Sequence, residues 1–142
     1  MNSSAFAATA EETKSSGNVL GQALRPGDVV LLTGDLGAGK TTFTQGIASG
    51  CGCADEITSP TFTLINEYST AQGRFVHMDL YRLELQDEVA GLGFEDYLRD
   101  DTILVVEWPD RLRNLKPRKA IEIALTEENG GRRIEIVFPG AN

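Results

Sequence analysis

The stretch "GDLGAGKTT", residues 34–42, fits the pattern G-x-x-x-x-G-K-[ST], which describes a loop that wraps around phosphate groups. Its glycines, Gly34, Gly37 and Gly39, let the backbone turn so that successive N–H groups point at one anion. A helix expected to begin near Lys40 directs the positive end of its dipole to the same place. The stretch therefore predicts a nucleotide-binding loop.

The side chains of this loop have separate predicted roles. The Lys40 ammonium is expected to bridge the β- and γ-phosphates of ATP, the Thr41 hydroxyl to bind Mg²⁺, and Thr42 to contact the α-phosphate. An apolar strand, "DVVLLTG", precedes the loop and a helical segment, "KTTFTQGIAS", follows it, which is the context that the pattern requires. The predicted nucleotide contacts of the loop are Gly34, Gly37, Ala38, Gly39, Lys40, Thr41 and Thr42.

Two acids are predicted to act beside this loop. Glu107 directly follows the apolar run of "TILVVE", and Asp79 lies in the strand-like run "FVHMDLYRL". In an open α/β sheet, ligands bind beyond the carboxyl ends of the strands, where P-loop enzymes place an acid near the metal. We therefore expect Glu107, Asp79 and Lys40 to be catalytic, and Thr41, Glu107 and Asp79 to bind the metal. Two structural alternatives remain open: a capping role for Glu107, and a His77–Asp79 pair.

The remaining patterns predict one α/β domain over residues 1–142. Thr9 and Glu12 have capping-box spacing at the start of a helix, and residues 86–101 are moderately helical. Residues 61–83 and 120–138 each predict an antiparallel hairpin. Strands that are apolar on both faces belong inside a parallel sheet covered by helices. The predicted fold is a three-layer, P-loop NTPase-like mixed sheet with antiparallel additions, and residues 1–8 are expected to form a flexible end.

The composition of the chain limits the kinds of partner that it is expected to bind. The chain of 142 residues has a net charge of −8, and such a protein repels the nucleic-acid backbone. If RNA takes part, another subunit is expected to hold it. No apolar run approaches the ~20 residues needed to cross a bilayer, and the first residues lack the pattern of a secretory signal. We therefore expect a cytoplasmic protein with no membrane partner.

Four segments in this order, "PGDVVLLTGDLGAGKTTF", "SPTFTLINEY", "HMDLYRL" and "VVEWPDR", resemble the TsaE (YjeE/YdiB) family of small bacterial P-loop ATPases. The resemblance covers about residues 9–113 and is weaker through the last two predicted strands. It implies a cytoplasmic ATPase needed to make threonylcarbamoyladenosine in tRNA. It also implies TsaD and TsaB as protein partners, with TsaD carrying out the transfer chemistry and tRNA contacted through the complex.

The resemblance also implies roles for individual residues. Lys40, Thr41 and Thr42 match the nucleotide-binding positions, Thr41 and Glu107 the magnesium positions, and Asp79 the hydrolytic centre. The segment 59–62 matches a switch-like segment. Thr9 and Arg132 are the nearest matches to residues that surround the adenine. Trp108 matches an aromatic position beside the acid, and its role stays open.

Three functions are compatible with these patterns. We favour an ATPase that is weak alone and activated by a partner, because the sequence shows no obvious arginine finger. The chain is also too short for the lid and acceptor domains that exclude water in small-molecule kinases. A small-molecule kinase and a non-hydrolysing nucleotide sensor are the alternatives. The sequence contains no Asn-Lys-x-Asp segment, which argues against guanine specificity.

Overall fold

The structure, a computed structural model, describes residues 2–35, 37–60, 64–84 and 86–140. The strands in these ranges form one sheet of seven, in the order β1-β7-β6-β2-β5-β4-β3. They are β1 (Asn2–Ala7), β2 (Val29–Thr33), β3 (Ile65–Thr70), β4 (Gly73–Asp79), β5 (Thr102–Glu107), β6 (Ile121–Glu128) and β7 (Gly131–Val137).

The helices are short. Three are α-helices, α1 (Ala10–Ala23), α2 (Lys40–Gly50) and α3 (Gln86–Gly91), and two 3₁₀ segments span Phe94–Tyr97 and Pro109–Leu115, counted over the described ranges. Within those ranges, no helix combines the length and the apolar character that crossing a membrane requires.

Parallel pairing holds the centre of the sheet together. Strand β2 pairs in parallel with both β5 and β6, and β5 pairs in parallel with β4. The outer pairs β3–β4, β6–β7 and β1–β7 are antiparallel. The two continuously apolar strands, β2 and β5, are therefore neighbours in the interior, as predicted, because both of their faces are covered.

Helices cover the two faces of the sheet and make three layers. On one face, Leu20 of α1 and Phe43 of α2 are buried against Val30 and Val105 of the sheet. On the other face, Val89 of α3 packs into a second core with residues of the two 3₁₀ segments and of β2, β4 and β5. The predicted fold class, a three-layer mixed α/β sheet with antiparallel additions, is confirmed.

Local predictions match the structure at most element ends. The Thr9 hydroxyl caps α1 by accepting a hydrogen bond from the Glu12 N–H at 3.1 Å. Both predicted hairpins form over their described residues, while residues 61–63 of the first lie outside the described residues. Asn129 and Gly130 make the left-handed turn of the second hairpin. The segment 86–101 divides into α3 and a 3₁₀ turn, because Gly93 between them has a φ of 74°.

The N-terminal residues differ from the prediction. Instead of a flexible end, residues 2–7 form β1, which pairs with β7 from Asn2↔Val137 to Ala7↔Arg132. Only Ala7 in this strand is buried, so no alternation of apolar residues announces it. The strand instead completes the hydrogen bonds of the otherwise open edge of β7.

Close glycine contacts join α1 to α2. Gly17 and Gly21 lie four residues apart on α1, and Gly46 and Gly50 have the same spacing on α2. A Cβ atom at any of the four would overlap a backbone carbonyl oxygen of the other helix. Gly50 is the last helical residue of α2 and one of these packing contacts. The left-handed residue that follows the helix end is Gly52, with a φ of 85°.

We predict that Gly46→Ala destabilises the protein by about 3 kcal/mol, because the new methyl group overlaps the Lys14 carbonyl and forces the helices apart. The measurement is the free energy of unfolding in urea. Gly91→Ala is the matched control, since a Cβ there meets no atom within 4 Å, and we expect a change below about 1 kcal/mol. Equal effects of the two substitutions would contradict the close-contact interpretation.

Candidate functional site

A cavity of about 550 Å³ lies over the phosphate loop, beside the carboxyl ends of β4 and β5. It brings together most of the residues that the sequence predicts for the site. All of them except Gly34 and Ala38 line it, namely Thr9, Gly37, Gly39, Lys40, Thr41, Thr42, Asp79, Glu107 and Arg132. Gly34 contributes its carbonyl oxygen to Lys40, and Ala38 is buried below the surface.

The loop ends in an uncapped helix. Gly37 and Gly39 have φ values of 81° and 96°, a conformation that glycine adopts far more readily than other residues. Gly39 is the N-cap of α2 and has no side chain to accept a hydrogen bond, whereas α1 is capped by the Thr9 hydroxyl. The first N–H groups of α2 therefore suit an anion, with the helix dipole favouring negative charge.

Lys40 is buried at the floor of this cavity, with 6% of its surface exposed. Its ammonium donates a hydrogen bond to the Gly34 carbonyl oxygen and lies 4.1 Å from the centroid of the Trp108 ring. Burial lowers the pKa of Lys40, and the carboxylates of Glu107 and Asp79 act in the opposite direction. The side chain is therefore a partly desolvated cation next to two acids.

The two predicted acids are neighbours. In the parallel register of β4 and β5, Asp79 lies directly opposite Glu107 at the end of each strand. Their exposed fractions are only 9% and 3%. Burial raises the pKa of Asp79, opposed by the hydrogen bond that the Tyr81 N–H donates to its Oδ1 atom at 3.0 Å. The negative charge of Glu107 also raises that pKa.

His77 contacts Glu107 rather than Asp79. Its Nε2 atom lies 2.5 Å from the Glu107 Oε2 atom, and the imidazole is fully buried. The sequence analysis leaves a His77–Asp79 pair open. The observed pair forms because His77 lies opposite Val105, so Glu107 is its diagonal neighbour on the same face of β5. The Nδ1 atom of His77 has no hydrogen-bond partner among the described residues.

The donor set at this end of the cavity fits a magnesium ion held together with phosphate oxygens. Two carboxylates and the Thr41 hydroxyl line the same cavity, and Mg²⁺ prefers oxygen ligands of these types. Two buried carboxylates side by side also favour a nearby cation, as the raised pKa of Asp79 indicates. Within the described part of the chain, no three His, Cys, Asp or Glu side chains could hold a metal by themselves.

The two residues expected near the adenine lie on the side of the cavity away from β4 and β5, the strands that carry the two acids. Thr9 and Arg132 both line it. The Arg132 guanidinium donates hydrogen bonds to the carbonyl oxygens of Ala38 and Gly37, each at 2.9 Å. Arg132 therefore contacts the phosphate loop itself.

The expected switch-like segment is described only in part. Ser59 lines the cavity, whereas Thr61 and Phe62 lie outside the described residues. The Thr58 N–H donates to the Tyr68 hydroxyl at 3.3 Å, and the Thr58 carbonyl accepts from the Asn66 amide at 3.3 Å. Arg82 also lines the cavity.

The sequence of this chain matches a known protein family over most of its length. The sequence profile described as "Threonylcarbamoyl adenosine biosynthesis protein TsaE" matches residues 7–134. The chain belongs to the TsaE family. The match extends beyond the segments that carry the sequence resemblance and includes β6 and most of β7, so the TsaE profile spans both Thr9 and Arg132.

Individual relatives of the TsaE family cover most of the chain. A tRNA threonylcarbamoyladenosine biosynthesis protein TsaE from Bacillus subtilis is 41% identical over 128 residues, which cover 90% of this chain and 79% of the relative. The TsaE protein of a Nostoc species is 45% identical over 136 residues, covering 92% and 83%. The crystal structure of YdiB from Bacillus subtilis superposes with a TM-score of 0.81 at 33% identity, covering 99% of this chain and 87% of YdiB.

Several cavity residues of this TsaE-family chain are not predicted from its sequence. The small residues Ala7, Ala8, Gly130 and Gly131 form part of the wall, because β1 and the turn of the last hairpin meet there. Small residues carry no chemical signal, and β1 itself is not predicted. Trp108 lies in one of the segments that resemble the TsaE family. Only the structure shows that its φ is left-handed, at 59°, and that the residue lines the cavity. A conformation of this kind costs a non-glycine residue about 1 kcal/mol or more.

We predict that Asp79→Asn stabilises the metal-free and nucleotide-free protein against urea at pH 7. Because burial raises the folded-state pKa of Asp79, the wild-type protein loses stability as pH rises through that value. The advantage of the variant should therefore shrink as the pH falls towards the ordinary carboxyl value of 3.8. The amide that replaces the carboxylate would keep an acceptor for the Tyr81 N–H.

Asp101→Asn provides a control of opposite sign. The Thr102 hydroxyl lowers the pKa of Asp101, so this substitution should remove stability at neutral pH rather than add it. A pH-independent difference between Asp79→Asn and wild type would show that desolvation of the carboxylate is not its cause.

Proposed function

We propose that this chain binds and hydrolyses ATP with Mg²⁺ and that this activity drives or resets the complex that makes threonylcarbamoyladenosine in tRNA. The observation that carries the proposal is the meeting of Lys40, Asp79 and Glu107 in one cavity over the phosphate loop. Membership of the TsaE family supplies the pathway.

The loop and α2 provide the phosphate contacts in this proposal. The uncapped N-terminus of α2 and the Lys40 ammonium both act on negative charge, and both lie at the same wall of the cavity. Lys40 would exchange its hydrogen bond with the Gly34 carbonyl for one with the β- and γ-phosphates. Thr42 would contact the α-phosphate, and Thr9 would lie near the nucleotide base.

In this proposal the metal would be held by three side chains, those of Thr41, Glu107 and Asp79. A bound Mg²⁺ would neutralise phosphate charge and polarise the bond that is broken. The contact from His77 fixes the orientation of the Glu107 carboxylate, which a ligand needs if it is to bind without a further conformational cost. Glu107 reaches the site from β5, directly beside the strand that leads into the loop.

Asp79 is the residue that best fits the role of orienting and deprotonating the attacking water. In the metal-free protein burial raises the pKa of Asp79, which makes its carboxylate a stronger base than a solvated one. The Tyr81 N–H holds Oδ1 in place. Its neighbour Glu107 is engaged by His77, so the two acids have different surroundings, and only Asp79 combines metal binding with a role towards the attacking water.

Protein partners complete the proposed activity. We infer that hydrolysis is slow in the isolated chain and that TsaD and TsaB supply or order the missing group, with Arg82 in the cavity wall as one side chain that they could position. The net charge of −8 suits docking to a basic partner that holds the tRNA. The proposed location is the cytoplasm, with no membrane partner.

We predict that Lys40→Ala lowers the affinity for ATP by about ten- to hundredfold, because it removes a charge-assisted phosphate contact. Isothermal titration with ATP and Mg²⁺ measures the effect. Lys116→Ala is the matched control, since that lysine pairs with Glu122 at the exposed surface, and its affinity should equal that of wild type. If Lys40→Ala bound ATP as tightly as wild type, the triphosphate would have to bind away from Lys40.

We predict that Glu107→Gln retains ATP binding but lowers turnover by about a hundredfold or more, since the change removes the charge that holds the metal while keeping the shape. The assays are phosphate release and threonylcarbamoyladenosine formation on tRNA in a reconstituted mixture with TsaD and TsaB. Glu122→Gln, at the surface, should match wild type in both.

The same assays separate the alternative functions. Unchanged ATP turnover in Glu107→Gln would favour a non-hydrolysing nucleotide sensor. A phosphorylated small molecule recovered from a metabolite pool incubated with ATP would favour a kinase. If tRNA were fully modified in the absence of this chain, its proposed role in the complex would be wrong.

A further inference from the structure

The side chain of Arg132 is joined to the phosphate loop by its fork of N–H groups. Its Nε donates to the Ala38 carbonyl and its Nη2 to the Gly37 carbonyl, each at 2.9 Å. Its Nη1 donates to the Gly131 carbonyl at 2.9 Å. One guanidinium thus ties two successive loop carbonyls to the strand from which it projects, across 94 residues of sequence.

These contacts determine where the loop directs its donors. A peptide unit is planar and trans, so a carbonyl and the following N–H point in opposite directions. Holding the Ala38 carbonyl towards Arg132 therefore directs the Gly39 N–H to the opposite side. Gly39 lines the cavity, and because glycine has no Cβ atom its backbone could otherwise turn freely.

The anchor behind Arg132 is rigid. Its backbone pairs with Ala7 of β1 on one side and with Glu127 of β6 on the other. Strand pairing on both sides fixes the Cα atom, and the Gly131 contact fixes the guanidinium plane. Arg132 therefore links strand β7, which is paired on both sides, to a loop whose glycines provide little stiffness of their own.

We propose that Arg132 is a positioning residue that holds the phosphate loop in its anion-binding conformation, rather than a contact that recognises the adenine. The proposal rests on the proposed function only in assigning a triphosphate to the loop. The guanidinium acts through the carbonyls of Gly37 and Ala38, and its effect on binding should not depend on the base.

The first test needs no ligand. Amide hydrogen–deuterium exchange of loop peptides is compared in nucleotide-free wild type, Arg132→Gln and Arg133→Gln. The neighbouring Arg133 is a matched control, because its guanidinium makes two 3.0 Å hydrogen bonds to Glu128 instead of contacting the loop. We expect exchange at residues 37–39 to rise about tenfold or more in Arg132→Gln alone.

The second test compares two ligands. Affinities for ATP and for inorganic tripolyphosphate, each with Mg²⁺, are measured for the same proteins. A loop-positioning role predicts that Arg132→Gln weakens both by the same factor, about tenfold or more, with Arg133→Gln unchanged. Arg132→Lys should recover little of the loss, because a lysine cannot bridge two carbonyls with a planar fork.

The outcomes are distinguishable. Loss of ATP affinity with full tripolyphosphate affinity would overturn the proposal and return Arg132 to a contact with the base. Unchanged loop exchange in both Arg132→Gln and Arg132→Lys would also overturn it. If wild type bound neither ligand, the proposed ATPase function would fail, while the exchange comparison would still decide whether Arg132 holds the loop. Thermal unfolding of each variant checks its fold, and Arg132→Lys replaces Arg132→Gln if the latter does not fold.

Discussion

The parallel register of β4 and β5 is the constraint on which the site depends. It sets Asp79 opposite Glu107 and makes His77 the diagonal neighbour of that glutamate. Both strands are buried on both faces, so a slip in register would place these polar groups in the apolar core. Buried charges are tolerated only when they are paired and hydrogen-bonded. The Lys40 ammonium, the His77 imidazole and the Tyr81 N–H supply partners for the two carboxylates.

This arrangement is costly for stability, and in the proposed function it serves ligand binding. Burial shifts the pKa of Lys40 downward and that of Asp79 upward, so both groups are held in a state that water would stabilise better. A triphosphate with its metal would bring opposite charges to both groups at once. In the proposed function the site would act as a receptor for an anion and a cation, in which ligand binding relieves the cost of desolvation.

Two separate contacts hold the phosphate loop between the sheet and the helices. On the helical side, the glycine contacts between α1 and α2 set the direction of the helix that begins at Lys40. On the sheet side, Arg132 holds the carbonyls of Gly37 and Ala38. Since glycine gives the loop its shape but little rigidity, its conformation depends on these neighbours. The N-terminal strand β1 contributes by pairing with the backbone of Arg132.

The sequence by itself determined the phosphate loop, the two apolar central strands and the presence of Lys40, Asp79 and Glu107 at one sheet edge. These features follow from local patterns: glycine spacing, strand burial on both faces and acids at strand ends. The tertiary structure alone decided that His77 contacts Glu107, that residues 2–7 form a strand, and that Arg132 reaches the loop. These three features depend on the register between distant segments or on backbone hydrogen bonds at an exposed strand edge. Register and backbone hydrogen bonds leave no periodic pattern of side chains, so the sequence does not reveal them.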